Sequence, residues 1–376
     1  MNNRLHIAMN ERKTHKYGID LLRLIAFAYV VVLHTLGHGG IIQASPYGSH
    51  QYMLCAGLEI WSYCAVNLFG LISGYVGYSP AADKPWKKHL LSYLRLWLHV
   101  VFFAVVPSVI VFFAVPGTIS PSQILEGFFP VTTGQYWYFS AYTGLFLLMP
   151  VLNAALRSLD SARLKHFLFL FLIVFSLYAS PMERFALREG YSTFWLVLLY
   201  LAGGAVRKIQ SSADETQREE AVGSRTGSGR ICLYCLAGII ICALFAWIWL
   251  IRDWHLTIFE TEIKRTSWMS YTSFTVTLSA MLHLILCSKI RIPGKLQNFV
   301  KKAAACSFGI YLLNTQPAVW KLTNGIFASY AAGPLVHILL VVAANVVVFM
   351  AGGILTDFVL YVLSPFRKHN HQSFLK

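Results

Sequence analysis

Residues 18–37 read GIDLLRLIAFAYVVVLHTLG, twenty mostly apolar positions in a row. As a helix rising about 1.5 Å per residue they span about 30 Å, the hydrocarbon thickness of a bilayer. Arg23 and His34 interrupt that stretch. Eleven positions apart, they differ in depth by about 16 Å and in direction by only about 20°, so one helix face carries both. Two readings fit. Either these titratable groups are turned toward a protein interior, or Arg23 snorkels to the near interface and His34 is a hydrogen-bonded packing residue.

Apolar stretches recur along the chain. The hydrophobic fraction is 56% and the charged fraction 12%, against about 25% charged in soluble domains. An all-α, polytopic membrane bundle is expected. Ten spans are read, at about 18–37, 53–78, 90–115, 135–156, 164–179, 193–208, 230–251, 268–288, 302–322 and 334–362. Pro107 and Pro150 should bend or end their helices locally.

The net charge of +15 suggests nucleic acid at first sight, but its distribution points elsewhere. With the N-terminus in the cytoplasm, the inward segments and adjoining helix ends hold 23 Lys or Arg and the outward ones 6. That asymmetry places both termini inside, requires an even number of spans, and implies contact with anionic lipid. No nucleic-acid partner is expected. The organisation expected is a basic cytoplasmic segment 1–17, one membrane domain 18–365 with a flexible cytoplasmic linker at 209–229, and a cytoplasmic tail 366–376. The seven cysteines lie mostly within spans and suggest no disulfide framework. Cys232 and Cys235 lack the partners of a zinc site, and helix packing is the simpler reading.

Polar residues inside spans form two layers. Asp20, Arg23, Ser73, Gly74, Arg95 and Asp357 lie toward the cytoplasm. His34, Glu59 and the run Gln135-Tyr136-Trp137-Tyr138 lie toward the outside. By residue count Glu59 sits about 9 Å, and His34 about 6 Å, below the outer ends of their helices. A buried acid at that depth needs a partner, and His34 is the candidate. A hydrogen bond from Glu59 to a neighbouring tyrosine or serine is equally compatible.

These residues bring a family into view. Arg23 and His34 within GIDLLRLIAFAYVVVLH resemble the Arg-x10-His of the first helix in the acyltransferase-3 membrane O-acyltransferases. Phe69-Gly-Leu-Ile-Ser73-Gly74 is similar to that family's aromatic-xxx-Ser-Gly pattern. Tyr136-Trp137-Tyr138, residues 145–150 and Ser307-Phe-Gly-Ile-Tyr311-Leu-Leu continue the likeness collinearly over about 17–365. The stretches AVNLFGLISGYVGY and QYWYFSAYTGLFLLMP look most like the bacterial branch that acylates surface polysaccharides. Two departures stand out. A single Arg95, preceded by Lys87, Lys88 and His89, replaces an arginine-rich pair, and the family's YLLH appears here as YLLN. Asn314 therefore carries no acid–base role, although it can donate or accept hydrogen bonds.

The resemblance implies transfer of an acyl group, usually acetyl, from cytoplasmic acyl-CoA to a hydroxyl outside. Acetyl-CoA or another acyl-CoA is then a donor substrate, with no permanently bound cofactor. The acceptor is a surface polysaccharide or lipid-linked glycan, and the location is the bacterial plasma membrane. An attacking hydroxyl needs a base, and neutral His34 suits that task, with Glu59 orienting the ring. A route in which His34 is itself acylated also fits. Arg23, Arg95 and Ser73 fall to the CoA side, with Lys84, Lys87, Lys88 and His89 as an electrostatic receiver. Each has a plainer reading: loop lysines set orientation, and Ser73-Gly74 is small-residue helix packing. Trp137 and Tyr138 stack on a sugar or form an aromatic belt.

His38, one turn past His34, has no local acidic ligand to complete a metal site, and no metal is expected. His99 and His283 read as packing residues, and Asn345 and Asp357 receive no role. A transporter or flippase for a polyprenyl-linked sugar is the alternative from another class, though no repeated halves with broken helices are visible. A catalytically inert scaffold is less compatible with intact Arg23 and His34.

Overall fold

The computed structural model describes residues 15–81, 85–219, 226–252, 256–258, 261–263 and 266–363. Expectations for residues 1–14, Lys84, positions 220–225 and the 366–376 tail fall outside the described residues.

Helices dominate. Apart from short helices at Ile41–Ala44 and Pro121–Glu126, they are in order α1 (Tyr17–Leu36), α2 (His50–Ser62), α3 (Ala65–Gly77), α4 (Trp86–Ala114) and α5 (Trp137–Ser158). Next come α6 (Ser161–Leu170), which continues as a π-helical stretch to Tyr178, α7 (Thr193–Glu219) and α8 (Thr226–Arg252). The last are α9 (Phe274–Lys289), α10 (Gly294–Ala305), α11 (Phe308–Asn314), α12 (Pro317–Thr323) and α13 (Leu335–Leu363). Among the described residues one short antiparallel ladder, β1 (Leu256–Ile258) with β2 (Thr261–Ile263), sets Leu256 opposite Ile263. Among the described residues eight helices are long and apolar enough to cross a membrane, or nine when α7 is counted with the short Arg184–Gly190 turn bent 85° from it. The fold is an all-α polytopic bundle.

Sequence caps start several helices. Ser49 accepts the Tyr52 backbone N–H at 3.1 Å before α2, and Asp160 accepts that of Arg163 at 2.7 Å before α6. These satisfy N–H groups that a helix start leaves open. Both proline-containing helices run on: α4 passes through Pro107 and α5 through Pro150. The linker expected at 209–229 is helical to Glu219 and again from Thr226. Its Ala, Glu, Gln and Arg residues are good helix formers, so α7 does not stop where its apolar stretch stops.

The expected span at 302–322 is not one helix. It is broken into α10, α11 and α12, with interruptions at Cys306-Ser307 and Thr315-Gln316. Pro317 has no N–H to continue a helix. Fully buried Gln316 resolves the break from both ends of its amide. Its Oε1 accepts from the N–H of Ala318 at 2.6 Å and Val319 at 3.0 Å. Its Nε2 donates to the Ser108 hydroxyl at 2.6 Å and the Ala104 carbonyl at 3.1 Å on α4. Irregular backbone at this depth is tolerated because protein surrounds it and supplies the hydrogen bonds.

Helix α1 is the hub. It packs against α2, α3, α9, α10, α11 and α13. Leu22, Phe27 and Val31 join the main core with Leu68 and Leu71 of α3 and Leu284 of α9. The tightest pairing is α3 with α7. A Cβ on Gly74 would overlap the Tyr200 carbonyl, and one on Gly203 would overlap that of Leu71. Glycine lets the two backbones touch, as in small-residue packing between membrane helices. The outer helices are inverted in character, with Phe113, Val151, Leu233 and Val347 exposed. Such a surface suits lipid, while the polar groups sit inside.

Candidate functional site

His34 lies in the last turn of α1, half-buried. Its Nδ1 is hydrogen-bonded to Oδ1 of Asn314, the buried last residue of α11. An amide oxygen has no hydrogen to give, so Nδ1–H is the donor. The neutral ring then keeps its lone pair on Nε2, which makes no hydrogen bond among the described residues. Trp320 of α12 stands edge-on to the His34 ring, centroids 4.8 Å apart at 90°. It stacks on His38 at 3.6 Å, and its carbonyl pairs with His38 Nε2 at 2.7 Å. His38 is thus committed to Trp320. Next to His34, buried Thr35 accepts from Asn345 Nδ2 of α13 at 2.6 Å. The break in the 302–322 stretch makes this possible, because it ends α11 at Asn314 and turns Trp320 over the histidines.

Below His34 lies a cavity of about 200 Å³. Arg23 and Phe27 of α1, Ser73 of α3, Leu96 of α4, Tyr138 of α5 and Tyr311 of α11 are among its walls. Arg23 makes no hydrogen bond or salt bridge among the described residues; Asp20, one turn away and hydrogen-bonded to His15, acts on its charge from a distance. Tyr142 looks onto both Ser73 and Arg23. Arg23 and His34 thus both face α11, whose residues Phe308 and Tyr311 wall the cavity while Asn314 holds His34. Tyr311 and Asn314 are one turn apart, about 4.5 Å in rise, and adjacent on the helix surface. Cavity and histidine are consecutive stations on the same helix pair.

Other expected residues are placed differently. Ser73 and Gly74 separate: Ser73 faces the cavity, whereas Gly74 packs on α7. Tyr138 shares the cavity with Arg23, so residues read as two layers meet in one space. Trp137 turns away, its ring 4.4 Å from that of Tyr191 and 6.2 Å from that of Tyr271. Arg95 is not in the cavity wall; its neighbour Leu96 is. His89 is bonded to the Phe146 carbonyl at 2.8 Å, and Lys87 and Lys88 are exposed at the start of α4.

The pairing of Glu59 with His34 is not found. No ion pair joins them among the described residues. Glu59 Oε1 lies 3.5 Å from the point where a Cβ of Gly37 would stand. Equal depth brings two side chains level, and direction decides whether they touch. Position 37 points about 60° away from position 34 on the helix, and Asn314 occupies the histidine's Nδ1.

Sequence reasoning passed over two polar anchors. Asp357 Oδ1 lies 2.9 Å from His99 Nε2, and its Oδ2 accepts the Gly309 N–H at 3.0 Å. This joins α4, α11 and α13 behind the cavity. The available signal was an acid inside a long apolar helix, which lipid would penalise without a partner. Trp320 gave no signal beyond its position three residues after Pro317.

A central membrane helix thus presents a cation to a buried cavity and an oriented imidazole one station further, inside a multi-pass membrane bundle. The chain belongs to the acyltransferase-3 family: residues 16–366 match its acyltransferase domain. It is a multi-pass membrane acyltransferase. Comparison with curated proteins and with solved structures finds no match.

Proposed function

We propose that the protein transfers a short acyl group, acetyl in the first instance, from cytoplasmic acyl-CoA to a hydroxyl of a surface polysaccharide or lipid-linked glycan. The reaction is placed at the bacterial plasma membrane, with both termini inside. Counting α7 with its bent turn as one crossing and the broken α10–α12 run as another brings the eight spans to ten, the even number that the loop charges call for.

The observation that carries the reading is the His34–Asn314 pair set one helical turn from a cavity walled by the Arg23 guanidinium, which makes no hydrogen bond among the described residues. Asn314 fixes the ring so that Nε2 is the basic nitrogen. That nitrogen takes the proton of the attacking hydroxyl as the oxygen bonds to the acyl carbon. The imidazolium then returns the proton to the departing thiolate. Arg23 supplies the fixed positive charge on the donor side, where a planar guanidinium grips phosphate or carbonyl oxygens in pairs. The cavity is smaller than the roughly 300–1,000 Å³ of typical ligand pockets. It therefore suits the thioester end of the donor, with the nucleotide left outside near Lys87 and Lys88. Ser73 and Tyr142 offer hydroxyls along that arm.

The broken helix also fits the alternative of a flippase, since broken helices build transporter sites. Family membership and an oriented histidine favour transfer. The deciding experiment compares proton NMR of surface polysaccharide from deletion, complemented and His34→Ala cells. Transfer predicts that O-acetyl signals are lost in deletion and His34→Ala cells while polymer amount is kept. Transport predicts loss of polymer itself.

A further inference from the structure

Among the buried side chains, two hydroxyls in the cavity wall have no use in the mechanism above. Tyr138 and Tyr311 are both more than nine-tenths buried. Their rings are neighbours, with centroids 6.1 Å apart at 71°. Neither hydroxyl makes a hydrogen bond of ordinary geometry among the described residues. The Tyr311 oxygen looks onto the Thr315 hydroxyl and the backbone N–H of Tyr138, neither of them in ordinary hydrogen-bond geometry. Nearby Tyr136 is different: its hydroxyl is committed to the Leu312 carbonyl at 3.4 Å. A buried hydroxyl without a partner costs free energy. Two in one cavity wall, beside the Arg23 guanidinium, are an expense the fold alone does not explain.

Acyl transfer has a use for such a pair. When a hydroxyl oxygen bonds to the thioester carbon, the C=O π electrons move onto oxygen and create an oxyanion. That charge must be met by donors already in place. We infer that the Tyr138 and Tyr311 hydroxyls are the oxyanion donors of this enzyme, an assignment that rests on the transfer reading above. Each phenol gives one hydrogen bond to the acyl oxygen. His34 Nε2 holds the proton from the attacking hydroxyl. On collapse the oxygen electrons re-form C=O, the C–S bond breaks, and the thiolate takes the proton from His34. The position of Tyr311 one turn before Asn314 brings the acyl carbon to the histidine end of the cavity. Tyr142 is less suited, because its hydroxyl is directed to Ser73.

The test uses the full chain in native membranes that carry the cell's own glycan, with acetyl-CoA labelled in the acetyl group. Tyr138→Phe and Tyr311→Phe remove only the oxygens. Each is expected to lower kcat about 10²–10³-fold, the loss typical for one oxyanion donor, with KM for acetyl-CoA unchanged. The melting temperature of the solubilised protein should hold or rise, because a buried unpartnered hydroxyl has been deleted. Normal kcat in both variants, with an active wild type, overturns the assignment and leaves the transfer reading intact. A kcat loss matched by a lower melting temperature also overturns it, since the hydroxyls are then structural. A wild type that moves no label overturns the transfer reading and this inference together.

Discussion

His34 and Glu59 sit at similar depths on neighbouring helices, yet their surroundings differ. His34 faces a helix that stops: α11 ends at Asn314, and the turn before α12 brings Trp320 across the ring. Glu59 also faces a helix end, but a bare one: it meets Gly37, which caps α1 just past Leu36 and has no side chain to offer. A regular helix offers a neighbour only side chains, because its backbone groups bond one another. A broken one offers chain ends, capping amides such as Gln316 and sharply turned rings. The comparison teaches that a helix end in this bundle holds a titratable group where it brings a polar side chain to it, as Asn314 does for His34 and Gly37 cannot for Glu59.

The strongest way to break this comparison is to remove the histidine. His34→Ala should insert and fold normally but lose acyl transfer about 10²–10⁴-fold, the usual worth of a positioned base. Labelled-acetyl transfer at equal membrane abundance measures it, and near-normal transfer would refute the role. Next is the group that orients it. Asn314→Leu keeps the shape and deletes the acceptor. By analogy with partners that orient metal-bound histidines, turnover should fall about 10–100-fold, with acetyl-CoA binding unchanged; a change in binding alone would place Asn314 elsewhere.

The donor side comes next. Arg23→Ala should weaken acetyl-CoA binding in nanodiscs about 10-fold or more, as loss of a charged hydrogen bond does. Lys at 23 should rescue only partly for want of the planar fork. Arg95→Ala, off the cavity wall, should bind like wild type. If both arginines prove equal, the cavity is not the donor site.

The smallest effect sharpens the other half of the comparison. Glu59→Gln should alter turnover less than about 10-fold, well short of the loss expected for a triad's third member. If it instead reduces turnover by orders of magnitude and adds nothing to a His34→Ala background, the two residues act as a unit, and Glu59 must swing to the ring during the reaction. Gly74→Ala probes the continuous packing itself. Pressed into the Tyr200 carbonyl, the methyl should cost about 1–3 kcal/mol of stability, read as a lower melting temperature.

What the sequence determined on its own follows from local regularities. Hydropathy over windows of helix length located nearly every long helix, since the cost of exposing backbone to lipid is paid segment by segment. The 3.6-residue period placed Arg23 and His34 on one face, and the structure turns both toward α11. The residues around them carried the family. Only the tertiary structure decided the partners. Asn314 is 280 positions from His34, and no periodicity links them. The break that brings it there depends on Gln316 finding Ser108 and Ala104 on α4. Likewise Arg23, Tyr138 and Tyr311 share one cavity because three helices cross there, whereas Trp137, one residue from Tyr138, points to another cluster. Depth and face are properties of a single helix and can be computed from its sequence. Contact is a property of two helices, set by how their surfaces and interruptions fit, and emerges only when the bundle is assembled.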